Sequence, residues 1–264
     1  MYQANGTYYT EEHSISFGDI ALDNTTNLTV FEVLANSWED WHLIPSSRPS
    51  IAPPPVVTKY IEIPGSDGVL DLSDYLTGKA NYGPRTGSLS FLVDNDHESW
   101  ETIRQNMINF LHGKTVKMRL EDDPHYFYVG RFTVGNWESG ASNSAVSVSY
   151  NLDPFKYRIE PTGSDYPTLW DPFNFETDYD YSVLSPYVEV SNNTKTFSIY
   201  SGDYPFIPSA TWVSGTTTVS FGGVTKTLSS SSRNAELGKS TYGSNLLSIT
   251  GLGSVKINWR GGSL

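Results

Sequence analysis

Apolar positions in the first part of the chain recur mostly at every second place, and one stretch switches to a helical period. Ile15, Phe17 and Ile20, then Leu28, Val30, Phe31 and Val33, alternate weakly with polar neighbours and predict two strands. A strand over 59–63 follows, then a tight turn through Pro64, Gly65, Ser66, Asp67 and Gly68, then a second short strand. Pro64 presets φ there, while Gly65 and Gly68 accept positive φ without a Cβ clash. Trp100, Ile103, Met107 and Leu111 lie three and four places apart and predict a helix over 96–112 with one buried stripe. Asn95 and Glu98 suit a capping box, with Asp96 as an alternative cap. Glu98 and Glu101 sit where the helix dipole favours acids, and Gly113 before Lys114 is the expected exit.

Alternation then returns. Val116, Met118 and Leu120 oppose Lys117 and Arg119, and Glu121, Asp122, Asp123 and Pro124 form a turn. On the returning strand Tyr126, Tyr128, Phe132 and Val134 line one face, opposite Phe127, Val129, Arg131 and Thr133. Val146, Val148 and Tyr150 complete a three-stranded meander that Pro154 ends. Beyond about residue 161 the texture changes to Pro, Asp and Tyr and then to short apolar runs at 187–190, 197–200, 211–213, 217–221, 246–249 and 255–259. Gly222-Gly223 joins Phe221 to Val224 as a two-residue hairpin loop. Short strands at this spacing predict a β-sandwich.

A chain of 264 residues is long for a single core, so two domains are expected, 1–160 and 161–264. With 38% hydrophobic and 14% aromatic residues it is rich enough to fold. The absence of cysteine excludes disulfides and thiolate sites. The first residues lack the basic and apolar regions of a signal peptide, and no run approaches the roughly 18 apolar residues that cross a bilayer. A soluble protein made in a cytoplasm, with no membrane insertion, is expected. The formal charge of −12 argues against nucleic-acid binding, because each phosphate contact wants a cation.

Residues 43–57 carry Pro45, Pro49, Pro53, Pro54 and Pro55. Proline removes ladder donors and favours extended backbone, so this stretch reads either as an exposed connector or as an arm onto a neighbouring subunit. The hydrophobic run Tyr126, Phe127 and Tyr128 reads as a strand edge that a neighbour would cover. Little else suggests chemistry. Glu121, Asp122 and Asp123 read as a solvated turn, and Asp94, Asp96, His97 and Glu98 as capping residues. The five histidines (13, 42, 97, 112 and 125) have no zinc-site spacing, and no serine elbow or phosphate loop is present. Trp170, Trp212 and Trp259 are the positions for sugar stacking, with core packing as the plainer reading.

Three of these segments, in this order, resemble the distal tail protein (Dit) family of long-tailed, siphovirus-type phages. They are the Pro64-Gly65-Ser66-Asp67-Gly68 turn, the helix leaving through Leu111, Gly113 and Lys114, and the Asp122-Asp123-Pro124 turn before an aromatic strand. The ending Trp259-Arg260-Gly261-Gly262-Ser263-Leu264 is similar to that of many members. The resemblance is best over 17–157 and again at the terminus. It implies a mainly β chain: an N-terminal split-barrel-like belt domain with one α-helix, then a C-terminal galectin-like β-sandwich. It implies a homohexameric ring in the virion, at the distal end of the tail, made in the host bacterial cytoplasm. That ring would join the tail tube protein to the tail hub and the receptor-binding apparatus, beside the tape measure and other baseplate proteins. DNA would pass through its lumen, and an acidic lumen would repel the phosphates. No enzyme activity, cofactor or metal is implied. A galectin-type sugar site needs a His-x-Asn-x-Arg pattern, and no histidine follows His125. The other readings are a related tail-hub protein, a baseplate part of a contractile particle, and a carbohydrate-binding module.

Overall fold

The computed structural model describes residues 3–4, 7–8, 13–23, 28–65, 67–75, 78–93, 99–139, 144–159, 187–201, 204–260 and 262–264. The chain divides into two compact units, Met1–Ile159 with Leu264, and Glu160–Ser263.

The first unit begins with a small pair, β1 (Gln3–Ala4) and β2 (Thr7–Tyr8). Its sheet strands are β3 (Ile15–Asp23), β4 (Leu28–Asn36) and β5 (Leu43–Pro45). Four short strands follow: β6 (Val56–Val57), β7 (Tyr60–Glu62), β8 (Val69–Asp71) and β9 (Asn81–Tyr82). Next come β10 (Arg85–Val93), α1 (Trp100–Leu111), β11 (Thr115–Leu120), β12 (Tyr126–Ser139), β13 (Ser144–Leu152) and β14 (Lys156–Arg158). The main sheet is antiparallel and runs β4-β3-β11-β12-β13-β10-β5, with β14 beside the start of β12.

Helix α1 follows the predicted stripe: Trp100, Ile103, Met107 and Leu111 are all buried. They pack with Phe17, Phe91, Met118 and Phe132 into the larger core, and burying each such side chain contributes about 1.5–3 kcal/mol. The helix ends where Gly113 takes φ +72°, and the Gly113 N–H donates to the Phe132 carbonyl at 2.8 Å. Ser99 occupies the N-cap. The predicted capping residues Asn95, Asp96 and Glu98 lie outside the described residues. The opposite face of β12 is buried too. Phe127 packs there with Phe31 and Ile159 in a smaller cluster flanked by Tyr157 of β14.

The second unit holds β15 (Tyr187–Ser201), β16 (Ser209–Phe221), β17 (Val224–Leu228), β18 (Asn234–Glu236) and β19 (Gly243–Asn258). The order is β15-β19-β16-β17, with β18 on the far end of β16. The short strands predicted at 187–190 and 197–200 are two ends of β15. In the same way 211–213 with 217–221 share β16, and 246–249 with nearly all of 255–259 share β19. All three strands bend at one level. Bulges lie between Ser191 and Asn193 and between Trp212 and Ser214, and Gly215, Gly251 and Gly253 there take φ of +69°, +118° and +147°. Val255 and Ile257 on one side of the bend, and Leu247 and Ile249 on the other, are all 0% exposed in one core. The described unit has no helix or second sheet to cover them, so the two halves of the bent sheet cover each other. The Gly222-Gly223 hairpin forms as predicted, with φ of +56° and +76° and Phe221 opposite Val224.

Candidate functional site

The residues that suggested chemistry are occupied structurally. Asp122 pairs with His13 at 3.0 Å and with Arg48 at 3.2 Å, and Asp123 pairs with Lys156 at 2.7 Å. The acidic turn therefore ties the chain entry, the proline-rich segment and β14 to one end of the sheet. Among the described residues no group of three His, Cys, Asp or Glu side chains is placed to hold a metal ion. His42 meets Trp38 edge-on at 5.8 Å, and the His112 N–H closes the helix onto the Ile108 carbonyl. His97 and Trp170 lie outside the described residues. Trp259 is buried against Phe206 at 6.0 Å. The Trp212 indole N–H donates to the Gly215 carbonyl at 2.8 Å, and the Arg233 guanidinium lies 5.4 Å from its ring centre. Trp259 offers no bare face to a sugar, and one face of Trp212 is taken by Arg233.

The proline-rich segment is strapped along its own unit. Pro45 faces Phe91 in the β5–β10 pair, and the Ser46 N–H donates to the Ser90 carbonyl at 2.9 Å. Arg85 reaches the Ala52 carbonyl at 3.0 Å and the Pro154 carbonyl at 2.8 Å, and the Gly83 N–H meets the Pro55 carbonyl at 2.8 Å. Pro49 and Pro54 are consequently buried, Pro45 is half-buried, and Pro53 and Pro55 are exposed. Tyr126, Phe127 and Tyr128 start an inner strand. Phe127 is buried, Tyr126 is half-buried under the Lys156 ammonium, and Tyr128 is buried 5.6 Å from the Arg85 guanidinium. Burial pushes the Tyr128 hydroxyl up to about 12, with Asp123 adding to the rise and Arg85 opposing it.

Two features of the first unit expose apolar side chains that the sequence reading did not place at the surface, although it predicted the strands and turn of the first. The first is a ribbon over 56–82. At its base β6 pairs with β9, and beyond it β7 pairs with β8 through the predicted Pro64–Gly68 turn, where Gly65 and Gly68 take φ of +84° and +101°. Asp71 accepts from both the N–H and the hydroxyl of Ser73, which holds its carboxyl below the usual range, and Ser73 accepts from the Lys59 N–H. Tyr60, Ile61, Ile63, Val69, Leu70 and Tyr75 are 43% to 80% exposed, and Val56 and Val57 at the base are exposed too.

The second feature is the outer strand β4 with the groove beside it. Opposite Phe17 and Gly18, β4 carries one extra residue, Leu34, which is 57% exposed beside exposed Val33. An open groove of about 370 Å³ runs from Leu34 over Trp41 to Phe110, rimmed by Asp40, Asn106 and Asn109. The available signal was a missing polar alternation at Tyr60-Ile61 and Val69-Leu70, which a half-buried strand would show.

Together these features define a mainly β protein of two units, with a single α-helix among the described residues and with exposed apolar side chains on the ribbon and β4 of the first unit. In fold it is similar to a solved phage protein, the Dit (gp 19.1) protein of SPP1, whose crystal structure is described as a paradigm of the hub adsorption apparatus in phages that infect Gram-positive bacteria. The match has a TM-score of 0.51 at 12% sequence identity and covers 95% of this chain and 99% of that one. The fold is Dit-like. No family model matches the chain, and no curated protein matches it either.

Proposed function

We propose that this chain is a structural subunit of a phage tail tip. Six copies close into a ring that joins the tail tube to the tail hub and the receptor-binding apparatus and continues the DNA channel. The end-to-end likeness of fold to SPP1 Dit carries this reading. The exposed apolar side chains of the ribbon and of Val33 and Leu34 on β4 support it, because monomeric proteins rarely leave such apolar surface in water. In this reading residues 1–160 are the ring-forming belt. Residues 161–264 are a galectin-like sandwich that presents a surface to other baseplate proteins, and the tape measure is a further neighbour. The protein sits at the distal end of the virion tail after synthesis in the host cytoplasm.

Pro45, Pro53, Pro55 and Tyr126 contribute to the subunit interface through their exposed parts, with Pro49, Pro54, Phe127 and Tyr128 supporting them from below. The ring multiplies the charge of −12 sixfold, and the lumen repels the DNA that passes. The subunit turns over no substrate and uses no cofactor. Light scattering on the purified full chain is expected to give the mass of six copies, and negative-stain images to give rings with an open centre. A strict monomer at high concentration, or hydrolysis of a saccharide, overturns the reading.

A further inference from the structure

We infer that the buried end of Arg85 is a binding site for a small monovalent anion of the halide class, held by the Nη2 N–H groups of Arg85 and by the hydroxyls of Tyr128 and Tyr150. All three residues belong to the first unit, so the site is complete in one copy of the chain.

The first ground is charge. Arg85 is the one charged side chain among the buried polar residues described. Its two acceptors, the carbonyls of Ala52 and Pro154, are neutral. It takes part in none of the ion pairs among the described residues. Asp123, which acts on Tyr128, is itself held by Lys156 at 2.7 Å. The guanidinium is therefore buried without a carboxylate to balance it, which is costly in a low-dielectric interior.

The second ground is the donor left over. Three buried side-chain atoms among the described residues lack a hydrogen-bond partner: Arg85 Nη2, Arg119 Nε and Thr217 Oγ1. Arg119 has Glu121 at 3.9 Å, and Thr217 is uncharged. Arg85 Nη2 alone combines an unused donor with an unbalanced charge. A water would satisfy its N–H groups and leave the charge, whereas an anion answers both.

The third ground is the company that Arg85 keeps. Arg85 and Gly87 share a face of β10, opposite Leu152 and Tyr150 of β13. Gly87 has no side chain, and the Tyr150 hydroxyl lies where its Cβ would stand. That hydroxyl also bonds the Ala52 backbone, whose carbonyl accepts from Arg85 at 3.0 Å. The Tyr128 ring centre is 5.6 Å from the guanidinium. Burial raises both hydroxyls above their ordinary pKa, so each keeps a hydrogen to donate at neutral pH. One buried positive charge balances one negative charge, which selects a monovalent ion over sulfate or phosphate. Through Arg85, the ion tightens the hold of the sheet on Ala52 and the proline-rich strap.

Thermal unfolding of the full chain in sodium chloride, sodium bromide and sodium gluconate at one ionic strength tests this, because screening is then constant. Tm is expected to rise by roughly 3–5 °C per tenfold of halide above the dissociation constant, and not with gluconate, which is too large to enter. Crystals grown in bromide are expected to show an anomalous peak beside Arg85 Nη2. Arg85→Met is expected to lose the halide dependence. Gly87→Ala displaces the Tyr150 hydroxyl and leaves the guanidinium in place, so it is expected to weaken halide binding roughly three- to tenfold, and it serves if Arg85→Met does not fold. Equal Tm in halide and gluconate overturns the site, as does a bromide map with no peak at Nη2. A peak without halide-dependent Tm marks an adventitious ion only and also overturns it. A halide dependence that persists in Arg85→Met, or an affinity unchanged in Gly87→Ala, places the ion elsewhere and does the same.

Discussion

Arg85 offers the sharpest test of how the first unit holds the root of its ribbon. Its residue is only 4% exposed, at the start of β10. Nε donates to the Pro154 carbonyl at 2.8 Å, Nη1 donates to the Ala52 carbonyl at 3.0 Å, and the guanidinium lies 5.6 Å from the Tyr128 ring centre. Against these contacts stands the cost of burying a cation, visible in a pKa lowered by desolvation and in a buried Nη2 with no partner. Replacement by methionine keeps most of the apolar stem and removes both donors. Each orphaned carbonyl then costs about 1–3 kcal/mol, less the desolvation no longer incurred, so a net loss of about 2–4 kcal/mol is expected.

For a unit of this size that loss lowers Tm by roughly 5–15 °C. Lysine is expected to restore less than half of it, because an ammonium does not span both carbonyls as the planar fork does. Calorimetry measures the loss. Hydrogen exchange at the Gly83 amide, which donates to the Pro55 carbonyl, reports whether the strap has come away. A methionine variant within 1 °C of the parent (under ~0.5 kcal/mol), or a lysine variant equal to arginine, refutes the argument that the fork holds residues 45–55 in place.

Two further outcomes follow from the same structure. The Tyr128 hydroxyl is raised from 10.0 to about 12, so its contribution is complete below pH 10 and is lost as pH rises from 10 towards 12, a swing of about 3 kcal/mol; alkaline unfolding followed by tyrosinate absorbance is expected to shift in Tyr128→Phe, and an unchanged curve counts against the assignment. Gly253→Ala places a Cβ against the Ser214 carbonyl and the Gly215 backbone at a φ of +147°; a loss of about 3 kcal/mol in the second unit is expected by urea denaturation, and a neutral result means the sheet does not bend there.

The parts legible in the sequence are those where one face meets water and the other a core. Helix α1 is legible because Trp100, Ile103, Met107 and Leu111 stand on a single stripe whose opposite side is polar. Strand β12 is less so. Phe127 and Tyr128 are both buried, one in each cluster of the first unit, so the aromatic run that reads as an edge is an inner strand covered on both faces. In the second unit the polar stretch 191–196 looks like a turn between strands, yet it is the part of β15 that crosses the bend and meets water on both sides. Its meaning lies in register with Gly251 and Gly253, far along the chain, which local spacing does not carry. The exposure of the ribbon, unlike its strands and turn, is illegible for the converse reason. Val56, Val57, Tyr60, Ile61, Val69 and Leu70 have the composition of core strands, and only the pairing reveals that they leave the sheet.

The same division explains why a functional site is hard to locate by residue chemistry here. The carboxylates closest to forming a cluster, Asp122 and Asp123, are held by His13, Arg48 and Lys156 and act as fasteners for one end of the sheet. Their formal charges are largely balanced where they stand, so the −12 of the whole chain is spread over other positions and acts as a field. In the ring reading such a diffuse negative field would repel the phosphates of passing DNA. In the same reading, short-range cohesion between copies would draw on the exposed apolar side chains of the ribbon and of β4. The two demands of that reading, apolar contact between copies and electrostatic repulsion of a passing polyanion, are compatible in one chain, because the first acts within a few ångströms and the second over about a Debye length.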